Sequence, residues 1–404
     1  MRHRLLVAFV LVIAIGVLGS ALVGPKQVDE GRDPLPDQRI EPVAGDTYVW
    51  PYTSRSRSTE GRTLALNVVI VGTPSEVHRV LTDRSELEWS ATDDDESLEE
   101  SRSVSPWRAA RGAARYTHAG SHNGSGRWVE SDYQLATGTY LGSRTHIRAY
   151  PGPSDDWTAL QTHTEYWDWY RLRHSVTGIS EGARTLERDL REEPFVGEVR
   201  RVYHGQTGGG SDGWLTVIEL TTATRVVGTD TGTGVDASTT AAGALAIAPV
   251  VAALVGWLPA GRDRQKHLRA AVLPAAIVAV VLGVRVAGIA AEGLFPAVSP
   301  KLFAGVLYPI LIAGPLAAVV VLARDRPAER TALLAAAGLG AGFVFDLSIV
   351  GVRVVPVRLV LHRTALVGAL GLFTLGIARG DRRAAAAGLA AWIGVLAASL
   401  VGIV

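Results

Sequence analysis

The stretch SRTHIRAY-PGPSDD-WTALQTHTEYWDWYRLRH, residues 143–174, decides how the polar part of this chain folds. β-Branched and aromatic residues interleave with polar ones on both sides of a Pro/Gly/Asp connector, which predicts a hairpin. Alternation puts Ile147 and Ala149 on one face of the first arm and Arg144, His146 and Arg148 on the other. If Tyr150 pairs with Trp157, Arg144 faces His163 and His146 faces Gln161. The face opposite Ile147, Ala149, Leu160 and Thr162 then gathers Arg144, His146, Arg148, His163 and Glu165, close enough across strands to share a ligand. One straight strand over 157–174 would span about 60 Å. A bend or bulge is therefore expected near Trp167–Arg171. Without it, Asp168 and His174 have the opposite parity from His163.

Outward from this hairpin, LALNVVIVG (64–72) reads as a buried strand. TPSEVHRVL (73–81) follows as a helix opened by a capping box, with Thr73 as cap, Pro74 at the first position and Glu76 at the third. Ser180 is the expected cap of a second helix, EGARTLERDLREE (181–193), ended by Pro194. Its Arg184, Glu187, Arg188 and Arg191 lie three and four apart, the spacing of helix-surface ion pairs. PFVGEVRRVYHG (194–205) and WLTVIEL (214–220) read as strands joined by the turn TGGGSDG. DDDESLEE (93–100) reads as a solvated loop, and HAGSHNGSG (118–126) as a loop carrying His118, His122 and an Asn123-Gly-Ser sequon. The expected fold of residues 24–238 is α+β: a mainly antiparallel sheet with at least two helices.

On both sides of that polar region lie apolar runs long enough to cross a bilayer. Residues 1–23 form a transmembrane anchor or a signal peptide, with Arg2, His3 and Arg4 before the apolar run Leu5–Val23. Residues 239–404 hold six expected transmembrane helices, at about 240–259, 268–293, 302–323, 331–352, 358–378 and 384–404. GRDRQK (261–266), RDRPAER (324–330) and RGDRR (379–383) are basic and separated by helix pairs. The positive-inside rule therefore puts these turns and the N-terminus in the cytoplasm and the α+β domain outside it. Arg285, Glu292, Asp346, His362 and Arg363 then fall in the outer half of the membrane. Charges there need partners or water. Two arrangements fit: ion pairs such as Asp346 with Arg285 or Arg363, or a polar pocket beneath the domain formed by Arg285, Asp346, His362 and Arg363.

Charge is divided as sharply as hydropathy. Residues 24–238 hold 33 acidic and 23 basic side chains, a net −10, whereas the remainder holds 6 and 17, a net +11. An acidic exposed domain argues against a nucleic-acid partner. With only Lys26, Lys266 and Lys301 as lysines, the composition also suits a salt-adapted, halophilic surface. Cysteine is absent, so any metal would depend on His, Asp or Glu.

The order of several short elements resembles the LssY C-terminal domain family over about residues 64–205. They are LNVVIVGTPSEVHRVL (66–81), Trp89, RTHIRAY (144–150), Asp168, His174 and the run Glu187-Arg188-Asp189. The resemblance implies an envelope setting, not a reaction, and its Glu-Arg-Asp element makes Glu187, Arg188 and Asp189 candidate substrate-binding residues; Arg144 and Arg148 join them as forked donors that would orient an anionic group. Three functions follow as expectations. The first is a non-catalytic binding, sensing or scaffold domain with an envelope lipid or protein partner. The second is a hydrolase of a lipid or phosphate-bearing substrate, with a divalent ion held by His146, His163 and Glu165, or by Asp168 and His174 after a bend. The third is a transport or export accessory working through the membrane charges.

Overall fold

The computed structural model describes residues 2–22, 39–43, 46–53, 64–92, 116–122, 126–208, 210–221, 262–324, 326–352 and 355–400. The expected span at 240–259, the acidic run 93–100 and the sequon at 123–125 lie outside them. What is described has two parts, an α+β domain and a bundle of apolar helices, as the hydropathy pattern predicts.

The hairpin is present and sits at the centre of the larger sheet. Its arms are β7 (Ser143–Pro151) and β8 (Trp157–Asp168). β8 does not continue to residue 174. The chain reverses at residues 169–172 and returns antiparallel as β9 (Arg173–Gly178). The expected bend is thus a second hairpin. Two strands share one edge of β8: β2 (Val68–Val71) takes residues 157–160, and β9 takes residues 164–168. Asn67 bridges the gap between them. Its side chain accepts from Thr162 N and donates to the carbonyls of Thr162 and Ile179, all at 2.9 Å, replacing the missing strand.

Beyond β2 lies β11 (Ser211–Leu220), parallel to it, and then β10 (Val196–Gly208). On the far side of β7 come β6 (Tyr133–Gly138) and the two-residue β3 (Ser90–Ala91). A separate small sheet joins β1 (Thr47–Val49), β4 (Tyr116–Ser121) and β5 (Arg127–Glu130). The expected loop at 118–126 therefore begins in a strand. His118 is buried there beside Tyr48, and His122 pairs with Glu41 at 3.2 Å.

Two helices cover one face of the large sheet. α2 (Pro74–Arg79) opens with the expected capping box and runs into a π-helical turn at Val80–Arg84. α3 (Ile179–Leu190) differs from expectation at its start: Gly178 precedes it, while Ser180 donates to Asp212 at 2.9 Å. Ala183, Leu186 and Leu190 of α3 pack on Ile70, Ile147, Ala149 and Leu160. Glycine is required once here, because a Cβ on Gly182 would meet His163 N at 2.7 Å.

Among the described residues, five helices are long and apolar enough to cross a membrane. They are α4 (Arg262–Leu294), α5 (Pro300–Leu322), α6 (Ala328–Ile349), α7 (Val357–Arg379) and α8 (Arg382–Leu400). The chain is a multi-pass membrane protein. The N-terminal helix α1 (Arg2–Leu22) lies antiparallel along α7, Phe9 against Gly371 and Gly16 against Ala365. Small residues let the two backbones approach closely.

The α+β domain rests on one end of this bundle. It meets the C-terminal ends of α4, α6 and α8 and the N-terminal ends of α5 and α7. By helix direction, the basic turns near Arg324 and Arg379 and the start of α1 lie at the opposite end. The junction is a continuous apolar core: Leu141, Trp167, Trp169 and Tyr170 pack with Ile277, Leu311, Phe343 and Leu366.

Exchanging a helical glycine for a larger residue normally stabilises. At Gly182 the sign reverses: Gly182→Val pushes α3 off β8 and lowers the domain's stability by about 1–3 kcal/mol, read as a fall in Tm.

Candidate functional site

β7, β8 and β9 present one concerted polar face. His146 lies directly opposite His163, Arg144 opposite Glu165 and Arg148 opposite Gln161. The register is two residues away from the expected pairing of Tyr150 with Trp157; Tyr150 instead faces Ala159. A shift of two keeps parity, so the expected face survives. The second hairpin then places His174 opposite Trp167, on this same face.

The resulting contacts form a chain. Arg144 Nε donates to Glu165 Oε1 at 2.6 Å. Glu165 Oε2 lies 3.1 Å from His163 Nε2, and His163 Nδ1 lies 2.8 Å from Gln161 Nε2. His174 approaches Tyr140 O at 3.0 Å and Arg144 Nη2 at 3.4 Å. His146 is different. It is 4% exposed, and neither ring nitrogen has a hydrogen-bond partner among the described residues.

This face and α5 enclose a cavity of about 550 Å³. Four cationic side chains line it (Arg144, Arg148, Arg173 and Lys301) against one carboxylate, Glu165. Gln161 Oε1 and the Tyr308 hydroxyl, both buried, also lack hydrogen-bond partners among the described residues. Burial, reinforced by His163, holds the His146 imidazole well below its usual range and therefore uncharged at neutral pH. Burial alone would raise Glu165. The hydrogen bond from His163 and the charges of His163, His174 and Arg144 outweigh it, holding the carboxyl well below its usual range.

The candidate metal ligands separate. His146, His163, Glu165 and His174 share the cavity, but among the described residues no three His, Asp or Glu converge as a metal site. Both nitrogens of His163 are already engaged. Asp168 is elsewhere: it accepts from Tyr170 N at 3.0 Å, capping the β8–β9 turn, and pairs with Arg363.

The candidate substrate contacts also divide. Arg144 and Arg148 line the cavity, whereas Glu187, Arg188 and Asp189 sit on α3, across the sheet. Glu187 binds Arg191 and Arg201. Asp189 accepts from Ser85, from Leu87 N and from the Trp89 indole, fixing the segment after the π-helical turn. Arg188 is exposed, with Glu181 at 3.9 Å.

The membrane charges are paired. Arg285 clasps Asp346 at 2.7 and 2.9 Å and donates to Leu141 O at 2.6 Å. Arg363 pairs with Asp168 rather than Asp346, and stacks over Tyr170 at 4.3 Å with His362 beside it. Glu292 accepts from the backbone N–H groups of Tyr140 and Leu141 at 2.6 and 2.9 Å. These groups join the bundle to the domain.

Arg173, Gln161, Lys301 and Tyr308 were not candidates from sequence. Lys301, one of three lysines in the chain, is the only one of the four with a signal in the sequence. No family model matches the chain, and neither a curated protein nor a solved structure is significantly similar to it.

His146 and Glu165 both have lowered pKa values, so the unfolded chain takes up protons that the folded domain refuses. Stability should therefore fall as pH drops below about 6.5 for His146, and further below about 4.5 for Glu165. Thermal unfolding in nanodiscs should show Tm falling by several degrees between pH 7.5 and 5.5. His146→Met should flatten that interval. Separately, Asp346→Ala leaves Arg285 buried with its carboxylate gone and should cost about 3–5 kcal/mol. Arg285→Met combined with Asp346→Leu should recover most of that loss in the same assay.

Proposed function

We propose that this chain is a multi-pass membrane protein whose α+β domain is a non-catalytic binding and sensing module for an anionic ligand of the cell envelope. The observation that carries this is the cavity itself: its described lining includes four cations and one carboxylate, beside buried donors and acceptors that have no hydrogen-bond partner among the described residues. Forked guanidinium groups suit phosphate or carboxylate oxygens. Among the described residues lining the cavity there is no Ser, Thr or Asp to serve as a nucleophile. The one His–Glu couple is spent on internal hydrogen bonds. Both facts favour binding over hydrolysis.

Sensing is supported by Tyr140. Its ring lines the cavity, while its N–H is held by Glu292 and its neighbour Leu141 by Arg285. A ligand that moves Tyr140 thus pulls directly on α4. An extracytoplasmic placement is supported by the docking of the domain on the bundle end away from the basic turns. The packing of α1 along α7 supports a retained anchor rather than a removed signal peptide. We further propose kinship with the LssY C-terminal domain family over residues 64–205, resting on the order of the elements that resemble it.

The test uses the full chain in nanodiscs of phosphatidylcholine, titrated with inorganic pyrophosphate by calorimetry. Saturable binding is expected, weakened at least about tenfold by Arg148→Gln with Arg173→Gln, an energetic loss of about 1.4 kcal/mol. Turnover of phosphomonoesters or phosphodiesters that the same double variant abolishes would instead make the cavity an active site.

A further inference from the structure

We propose that the ligand of this cavity is the anionic headgroup of a membrane lipid, admitted sideways past the first turns of α5. This rests on the anion-binding reading and names its substrate class.

The wall that α5 contributes is one helix face, Lys301, Ala304, Gly305 and Tyr308. At 1.5 Å per residue, Gly305 and Tyr308 lie about 7 and 12 Å along the axis from Pro300. That is the depth at which a lipid changes from headgroup to acyl chain. Beside that face, Leu302, Val306 and Ile310 are 64%, 70% and 51% exposed, an apolar surface turned to lipid. Gly305 marks the seam between the two. It is itself exposed, and a Cβ there would meet no atom within 4 Å. The seam is therefore low as well as apolar on its outer side.

The interior fits a phosphate that carries a hydroxylated group. Arg148, Arg173 and exposed Lys301 line the cavity as cations alongside the Arg144–Glu165 pair. The uncharged His146 has one ring N–H to give and one nitrogen lone pair to receive; Gln161 Oε1 receives only. A phosphate oxygen accepts from the first, and a headgroup hydroxyl can donate to either of the others. A free inorganic anion would satisfy the cations and the N–H but would present no hydroxyl donor to the remaining acceptors when fully ionised. Nor would it use the seam at Gly305. A second cavity of about 380 Å³ adjoins the first, sharing Tyr140, Arg144 and Lys301. It adds room for the distal part of a larger headgroup.

The experiment uses the delipidated full chain in phosphatidylcholine nanodiscs, titrated with phosphatidylglycerol and, separately, with inorganic phosphate and glycerol 1-phosphate. Retained lipid is read by native mass spectrometry and soluble ligands by calorimetry. Phosphatidylglycerol should be retained at least about tenfold over phosphatidylcholine. Gly305→Leu, which fills the seam, should reduce that retention about tenfold while leaving the affinity for inorganic phosphate unchanged. Arg148→Gln with Arg173→Gln should weaken both at least about tenfold. Lys301→Gln, at an exposed site that does not endanger folding, should weaken phosphatidylglycerol severalfold. If soluble phosphate binds but phosphatidylglycerol is not preferred, or Gly305→Leu and Lys301→Gln leave its retention intact, the lipid assignment falls and the anion-binding reading stands. If no anion binds at all, both fall.

Discussion

The fold depends on one buried contact between its two parts, the insertion of the β8–β9 turn into the helical bundle. Asp168 makes the turn by accepting from Tyr170 N, and by pairing with Arg363 it satisfies a charge the bundle would otherwise bury alone. Around it, Trp167, Trp169 and Tyr170 extend the bundle's core into the sheet. The turn keeps Leu172 at φ +46°, an uncommon conformation for a branched side chain. Packing on both sides holds it there. Because the turn is fixed in the bundle, β9 must return along β8, and that return carries His174 and Arg173 to the polar face. The cavity is thus a by-product of the docking: one wall is sheet, the other is α5, and neither part encloses it alone.

Most of the architecture was legible in the sequence because hydropathy and alternation are local signals. The capping box at Thr73–Glu76, the strand at 64–72, the hairpin around PGPSDD and the apolar spans all follow from residues within a dozen positions of one another. The polar face was legible for the same reason: parity assigns Arg144, His146, Arg148, His163 and Glu165 to one side, even with the register two residues off. What failed was nonlocal. Asp168 and His174 look alike as candidate ligands, and only the position of a turn separates them. Arg285 and Arg363 look alike as partners for Asp346, and only the turn's insertion assigns Arg363 to Asp168 instead. Lys301 and Tyr308 reach the cavity through a helix more than a hundred residues downstream, a distance over which one sequence carries no pairing information. Glu187 and Asp189 became candidates through the family resemblance. Their work is to hold β10 and the segment at 85–89 around α3.

The two faces of the large sheet divide the labour. One is dry, with Ile147, Ala149 and Leu160 under α2 and α3, and its tight fit at Gly182 fixes the backbone of His163 from behind. The other is wet at the end nearest the membrane. On that face His146 is buried with neither ring nitrogen hydrogen-bonded among the described residues.

The reach of Ser399, whose hydroxyl donates to Tyr170 O across 229 residues of chain, has a consequence in time. Synthesis delivers the aromatic turn long before Arg363 in α7 and Ser399 in α8 exist. Until then two tryptophans, a tyrosine and a carboxylate stand uncovered at the tip of an otherwise finished sheet. The domain can form its strands early, yet its seat is completed only when the last helix arrives. A chain truncated before α7 would therefore present this tip as an adhesive surface, open to capture by holding factors or to self-association. Completion of α8 becomes the event that retires the nascent chain from their care.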